Sequence, residues 1–284
     1  MFGHRKDGKE LKNISPVFKI IPNIMKERSD SQVFFNQDIV ITPIEEYVNR
    51  KAKEGIKMSI MDVLFASCIR VLAQRPHLNR FAINGRVYAR NEITVSITIK
   101  KSMTDKAEET TLKIPFKGTE TIFEVNEKVR ACIEENKKLD TENSADKATN
   151  ILTKTPTCIL KFLVGIIKKL DKNGHLPKWL IDVSPFHTSA FITNVGSLGI
   201  DSIYHHLYNF GTTSCFFAMG KKKKSYVYED DDIKEEKVIN LAFVGDERIC
   251  DGYYYALSFR TLCKYFAKPE LLEEPGELKA DDEL

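Results

Sequence analysis

Apolar positions recur with a helical period in four stretches of the chain. Thr42-Pro43-Ile44-Glu45 has the order of a capping box with proline at the first helical position, and the helix it opens is predicted to stop near Gly55. Ser59 then caps a longer helix whose Ile60, Leu64, Cys68, Val71 and Leu72 share one face until Pro76 ends it. Ile122, Val125, Val129 and Ile133 mark an amphipathic helix over 121–138, followed by a polar connection over 139–150. A fourth, very apolar helix covers 157–170, with Gly174 as its end signal.

Between the second and third helices the period changes to two. Ile93, Val95, Ile97 and Ile99 alternate with polar residues, and Asn84-Gly85 just upstream is a tight hairpin signal because both residues tolerate positive φ. The last third reads as strands at 190–195, 215–219, 226–228 and 238–244, with an acidic turn at 229–232, and then a helix over 253–266. Helices and strands mix without a strict βαβ period, and no internal repeat or glycine-rich nucleotide loop interrupts them. The pattern predicts an α/β or α+β fold with a mixed sheet.

Composition fits that class: 42% of the 284 residues are hydrophobic and 29% charged, enough to build a sizeable core. One domain over 14–268 is expected, with the polar, basic residues 1–13 and the acidic residues 269–284 as loose extensions. The balance of 43 basic against 40 acidic residues gives a net charge of +3, so no global field points to nucleic acid or an anionic membrane. The six cysteines are scattered, without a CxxC pair or metal-ligand spacing, and read as reduced core thiols with no metal. No basic-then-apolar leader opens the chain, and the most apolar run, 159–167, is broken by Lys161 and too short for a bilayer, so a cytoplasmic location is expected. Lys221 to Lys224 suit a phosphate patch, but a run of like charge on a strand is more simply a solvated, protected edge.

The segment richest in chemistry is Asp246-Glu247-Arg248-Ile249-Cys250-Asp251-Gly252, between an apolar strand and the last helix. It resembles the HxxxDG signature of the acyltransferase component of 2-oxo acid dehydrogenase complexes and of chloramphenicol acetyltransferase, with Glu247 at the histidine position. Three further stretches are similar to those families in the same order: Arg75 through Gly85, Phe191-Ile192-Thr193-Asn194-Val195-Gly196, and Phe216-Phe217-Ala218-Met219-Gly220-Lys221. The resemblance implies a chloramphenicol-acetyltransferase-like two-layer sandwich of mixed β-sheet and helices, working as a homotrimer with sites between subunits. It implies CoA or acyl-CoA as substrate, without a metal, and acyl transfer to a thiol, hydroxyl or amine. No lipoyl-bearing segment precedes Val33, so no covalent lipoyl group is expected on this chain.

Carried over by position, Thr193 would donate to the oxyanion, Glu247 would stand in for the general base, and Asp251 would orient the loop through a basic partner. Arg248, Gly252 and Asn194 would be structural parts of the motif. A carboxylate is a weaker base than imidazole by about two pKa units, roughly 3 kcal/mol. Glu247 pairing with Arg248 in a retired site is therefore an equal expectation, giving a catalytically inactive trimeric relative that binds a ligand or a protein. His187, His205 and His206 are the substitute bases near Thr193 in sequence, each more commonly structural. Cys250 reads as a core thiol rather than an acyl carrier.

Overall fold

In the computed structural model, which describes residues 5–100, 109–137, 154–229 and 231–284, the alternating segments close into a mixed six-stranded sheet. Strand β1 (Gly8–Glu10) and helix α1 (Pro16–Ile24) precede β2 (Gln32–Val40), α2 (Thr42–Lys53) and α3 (Ile60–Gln74). Strands β3 (Arg80–Ile83), β4 (Arg86–Arg90), β5 (Ile93–Lys100) and β6 (Glu109–Phe116) follow, then α4 (Ile122–Lys137). Helices α5 (Thr157–Lys172) and α6 (Lys178–Val183) lead to β7 (Ala190–Asn194), β8 (Cys215–Glu229), β9 (Asp232–Asp246) and α7 (Gly252–Ala267). The main sheet has the order β2-β9-β8-β7-β5-β6, and a three-stranded sheet has the order β1-β4-β3. Strand β7 runs parallel to both its neighbours, β5 and β8, while the remaining pairs are antiparallel.

The period-two alternation decides the two faces. Val95, Ile97, Ile192, Phe217, Met219, Leu241 and Phe243 join α2, α3, α4 and α7 in the main core. The opposite face carries a smaller cluster of Phe191, Phe216, Ala218, Ala242 and Val244, covered by Leu207 from the segment between β7 and β8. Helix α3 is buried over most of its circumference and begins with a complete capping box between Ser59 and Asp62. The Asn84-Gly85 turn has φ of 51° and 74°, joining β3 to β4.

Several sequence expectations are corrected. Thr42 is not a cap: its side chain makes no capping bond and its hydroxyl donates instead to Glu236, at 2.9 Å. The strands expected at 215–219 and 226–228 are one continuous strand, and 238–244 is the buried half of β9; the two pair from Cys215↔Gly245 out to Glu229↔Asp232. Among the described residues neither end is loose. Arg5 is buried against Asp7 and Asp171, and the backbone N–H groups of Gly276 and Lys279 bond to Thr119 and Ala73 carbonyls, drawing the acidic tail along α3. The polar connection expected at 139–150 lies outside the described residues. Among the described residues, no helix is long and apolar enough to cross a membrane.

Candidate functional site

Strand β9 delivers the loop 246–251 at the end of the sheet, and the loop is built around Asp246 rather than Asp251. Asp246 is fully buried, and Arg248 grips it with Nε at 2.8 Å and Nη2 at 2.7 Å. Ser31 Oγ donates to the same carboxylate at 2.9 Å, Arg28 Nε lies 3.4 Å away, and Tyr255 Oη donates to the Asp246 carbonyl at 2.8 Å. Burial alone would raise the Asp246 pKa, but the Arg248 and Arg28 guanidinium groups outweigh it and hold the carboxyl below its usual range. Burial likewise pulls Arg28 down to about 10 despite Asp246. Arg28 also donates to the carbonyls of Tyr208, Gly211 and Ala82, tying the loop's support to distant segments.

This arrangement leaves Glu247 outside. Its backbone N–H bonds to the Ser31 carbonyl at 2.8 Å, but its exposed carboxylate forms no ion pair or hydrogen bond among the described residues. The expected Glu247–Arg248 pair does not exist, because Asp246 holds Arg248. Asp251 has no basic partner among the described residues either; exposed, it accepts from Tyr254 N at 2.7 Å and caps α7. At Gly252 an added Cβ would meet nothing within 4 Å, so nothing inside one chain requires a glycine there. Cys250 is buried, and burial pushes its thiol well up, leaving no thiolate at neutral pH.

Thr193 sits near the end of β7, on the sheet face opposite the helices, beside Ala218 of β8, which in turn lies beside Ala242 of β9. Its hydroxyl makes no hydrogen bond among the described residues. Asn194, next along, accepts from Ser197 N at 3.2 Å and closes the turn after β7. That turn packs so tightly on β8 that a Cβ on Gly196 would lie 2.3 Å from the Gly220 carbonyl oxygen. In the register, Ala242 and Asp246 are four residues apart along β9, and β7 is two strands away. Thr193 is thus roughly 16 Å from Asp246 within one chain, by standard strand dimensions.

The three histidines fall into different settings. His187 is 1% exposed, with Nδ1 2.8 Å from Ser184 Oγ and Nε2 3.1 Å from Asp171 Oδ1, the second contact out of line for a good hydrogen bond. Burial lowers its pKa against the pull of Asp171. His206 is exposed. His205 is half-buried on the Thr193 face, stacked on Phe216 with ring centroids 4.3 Å apart at 7°.

On the helical side, next to the Asn194 turn, a cleft of about 850 Å³ is lined by Glu45, Asn49, Gly196, Lys221, Lys222 and Lys237 among others. Lys222 and Lys237 both reach Glu45, at 2.7 and 3.1 Å, while Lys223 and Lys224 pair with Asp38 and Glu235. Lys221 alone of the run has no partner among the described residues. Sequence reasoning missed Lys237, which the β8–β9 register sets beside the lysine run, and Glu45, which reaches the run from α2. It also missed Arg28 and Ser31, which lack any local signal.

The family profile of the 2-oxoacid dehydrogenases acyltransferase catalytic domain matches residues 186–273, a span holding Thr193, the Lys221 run and the whole 246–252 loop. Solved structures resemble the chain over nearly its full length. One is a probable dihydrolipoamide acetyltransferase from Listeria monocytogenes, 16% identical with a TM-score of 0.57 over 94% of this chain and 97% of that one. A second is the dihydrolipoamide acetyltransferase of Azotobacter vinelandii, studied for the catalytic role of a serine, a histidine and an asparagine; it is 12% identical, with a TM-score of 0.56 over 91% and 93% of the chains. A third is chloramphenicol acetyltransferase, 12% identical with a TM-score of 0.52 over 87% and 92%. Among curated protein sequences none matches the chain. The fold is that of these solved acetyltransferases, and residues 186–273 resemble the acyltransferase catalytic domain of the 2-oxoacid dehydrogenases.

Proposed function

We propose, from this fold and this matched span, that the chain transfers an acyl group from a CoA thioester to a thiol, hydroxyl or amine. The observation that carries the reading is Thr193: a half-buried hydroxyl near the end of β7 that makes no hydrogen bond among the described residues and lies inside the span the family profile matches. A hydroxyl so placed suits the oxyanion of a tetrahedral intermediate, where one well-aimed donor is typically worth 100- to 1,000-fold in rate. The lysines of the cleft beside the Asn194 turn suit the phosphates of CoA, with Lys221 the one of them whose side chain has no partner among the described residues.

Copies of the chain are proposed to assemble as a trimer that brings Glu247 of one subunit toward Thr193 of the next. The separation of the two within one chain, the open space over Gly252 and the half-exposed Phe34 on the Thr193 face support this. Sedimentation equilibrium should give three times the chain mass. Glu247 then occupies the place of the family's proton acceptor, and a carboxylate is ordinarily a weaker base than an imidazole. That weakness favours a second reading, a trimeric relative that binds CoA, an acyl ligand or a protein without turnover. Release of free thiol from acetyl-CoA, with dihydrolipoamide as acceptor, separates the two: turnover supports transfer, and CoA binding without turnover supports the second reading.

A further inference from the structure

We infer that helix α5 seats the chain on an anionic lipid bilayer, lying in the plane of the headgroups with its outer apolar stripe turned into the membrane. The inference goes beyond acyl transfer and does not depend on it.

The body of the protein leaves α5 largely uncovered. Of the 16 residues of Thr157–Lys172 only Asp171 is buried. Leu160, Leu163, Val164, Ile167 and Leu170 are half-buried and share one side of the helix. Ile159, Phe162 and Ile166, spaced i, i+3 and i+7, form a stripe on the outer side, where they are 47%, 68% and 40% exposed. Single apolar side chains on a surface need no explanation, but a row of large ones turned to water marks a contact. A short helix also draws most of its stability from packing its apolar face, and here that face is only partly packed among the described residues.

Charge decides the kind of contact. Lys161, Lys168, Lys169 and Lys172 are all exposed, and none of their ammonium groups has a partner among the described residues. Asp171, the one acidic residue of the helix, is turned inward, where Arg5 matches its charge at 2.8 Å. Lys169 continues the apolar stripe three residues after Ile166, and Lys161, Lys168 and Lys172 make a second row alongside it. The outer surface of α5 thus joins large apolar side chains to four positive charges and no negative one.

A layer of anionic headgroups over hydrocarbon matches both features. The stripe reaches the acyl boundary, while the flexible lysine stems let the ammonium groups rise to the phosphates. Contacts between protein chains, by contrast, deplete lysine at their apolar centre. A comparable exposed stripe on α1, Val17, Ile20 and Ile24, comes with a single lysine on its helix, Lys19, and lacks this signature. The net charge of +3 is small for the whole chain, so the attraction is local to α5.

The helix lies on the membrane rather than crossing it. Sixteen residues reach roughly 24 Å at 1.5 Å per residue, short of a hydrocarbon core of about 30 Å. Lys161, one turn into the helix, would also be carried into the core by a crossing.

The test floats the full chain with vesicles of phosphatidylcholine alone and of phosphatidylcholine mixed with phosphatidylglycerol. Wild type should rise with the anionic vesicles, stay behind with the neutral ones, and be released as added salt screens the surface. Lys168→Gln combined with Lys169→Gln should weaken partitioning by about 25-fold, from roughly fivefold for each lysine. Phe162→Ser should weaken it by about 10- to 100-fold. All three positions are exposed, so the melting temperatures should stay close to wild type. A fluorophore on Cys158, the exposed one of the cysteines and four residues before Phe162 on the same side, should shift to the blue on anionic vesicles. Equal flotation with both vesicle types, flotation untouched by either variant, or flotation without a shift at Cys158 would overturn the proposal. A wild type that ignores both vesicle types would overturn it too, and if Phe162→Ser then lowers the mass found by sedimentation equilibrium, the stripe is covered by a second copy of the chain instead.

Discussion

Arg248 closes on Asp246, two residues before it, with Nη2 2.7 Å from Oδ2, and so leaves Glu247 between them unpaired. Both partners of this pair are buried, so removing one strands the other. Asp246→Ala is expected to lower the unfolding free energy by about 3–5 kcal/mol in urea titrations, whereas Glu247→Gln, at an exposed position, should change it by less than about 0.5 kcal/mol. The Asp246 carboxyl has a folded pKa below its unfolded value of 3.8. Its stabilising contribution is therefore fully present above that value and is lost as pH falls through the folded one. Below about pH 4 the wild type and Asp246→Ala should converge in stability. A gap that stays constant from pH 7 to pH 3 would contradict the buried pair.

The cleft beside the Asn194 turn makes a binding prediction independent of turnover. At 100 times its dissociation constant, CoA should stabilise the folded chain by about 2.7 kcal/mol, read as a rise in melting temperature. Lys221→Glu should weaken that shift and make it less sensitive to salt, because Lys221 is the cation of the run without a side-chain partner among the described residues. Dephospho-CoA and the free pantetheine thiol separate phosphate recognition from recognition of the arm. An unchanged shift in Lys221→Glu would remove the cleft from the CoA site.

At the C-terminus, Arg80 is 1% exposed and donates through Nε to Asp281 at 2.6 Å, with Glu283 at 2.9 Å from Nη2. Asp281→Asn leaves the guanidinium buried with less charge opposite it. It should cost about 1–3 kcal/mol in stability, and the tail should become the first site cut by trypsin. Unaltered stability and protease resistance would show that the tail merely rests on α3.

What was legible in the sequence follows the strength of the local pattern. Alternation at Ile93 to Ile97 gave the helix-facing side of β5, and Ser59 gave the start of α3, because both are decided within a few residues. The length of β8 was not legible. Past Met219 the strand is held by its pairing with β9 and turns solvated lysines outward, so no apolar rhythm marks it. The tail read as loose because its partner Arg80 is 201 residues away and an acidic run looks the same docked or free. In the motif, the positions of Thr193, Glu247 and Asp251 were readable from the resemblance. Which carboxylate takes the arginines was not, since Asp246 and Asp251 both lie in reach of Arg248 by sequence and burial decides in favour of Asp246. The orientation of His205 depends on one carbonyl contact and one aromatic ring, neither visible in a one-dimensional pattern.

The measurement that bears most directly on acyl transfer is the initial rate of thiol release from acetyl-CoA across a panel of thiol, hydroxyl and amine acceptors, for wild type and Thr193→Val. Valine keeps the shape of threonine and removes a hydroxyl that has no hydrogen-bond partner among the described residues, so folding should be retained. Wild type should release thiol in an acceptor-dependent way, and Thr193→Val should be slower in kcat by about 100- to 1,000-fold at similar KM. Equal rates in the two proteins, or no acceptor-dependent release by wild type with any of the acceptors, would contradict the account.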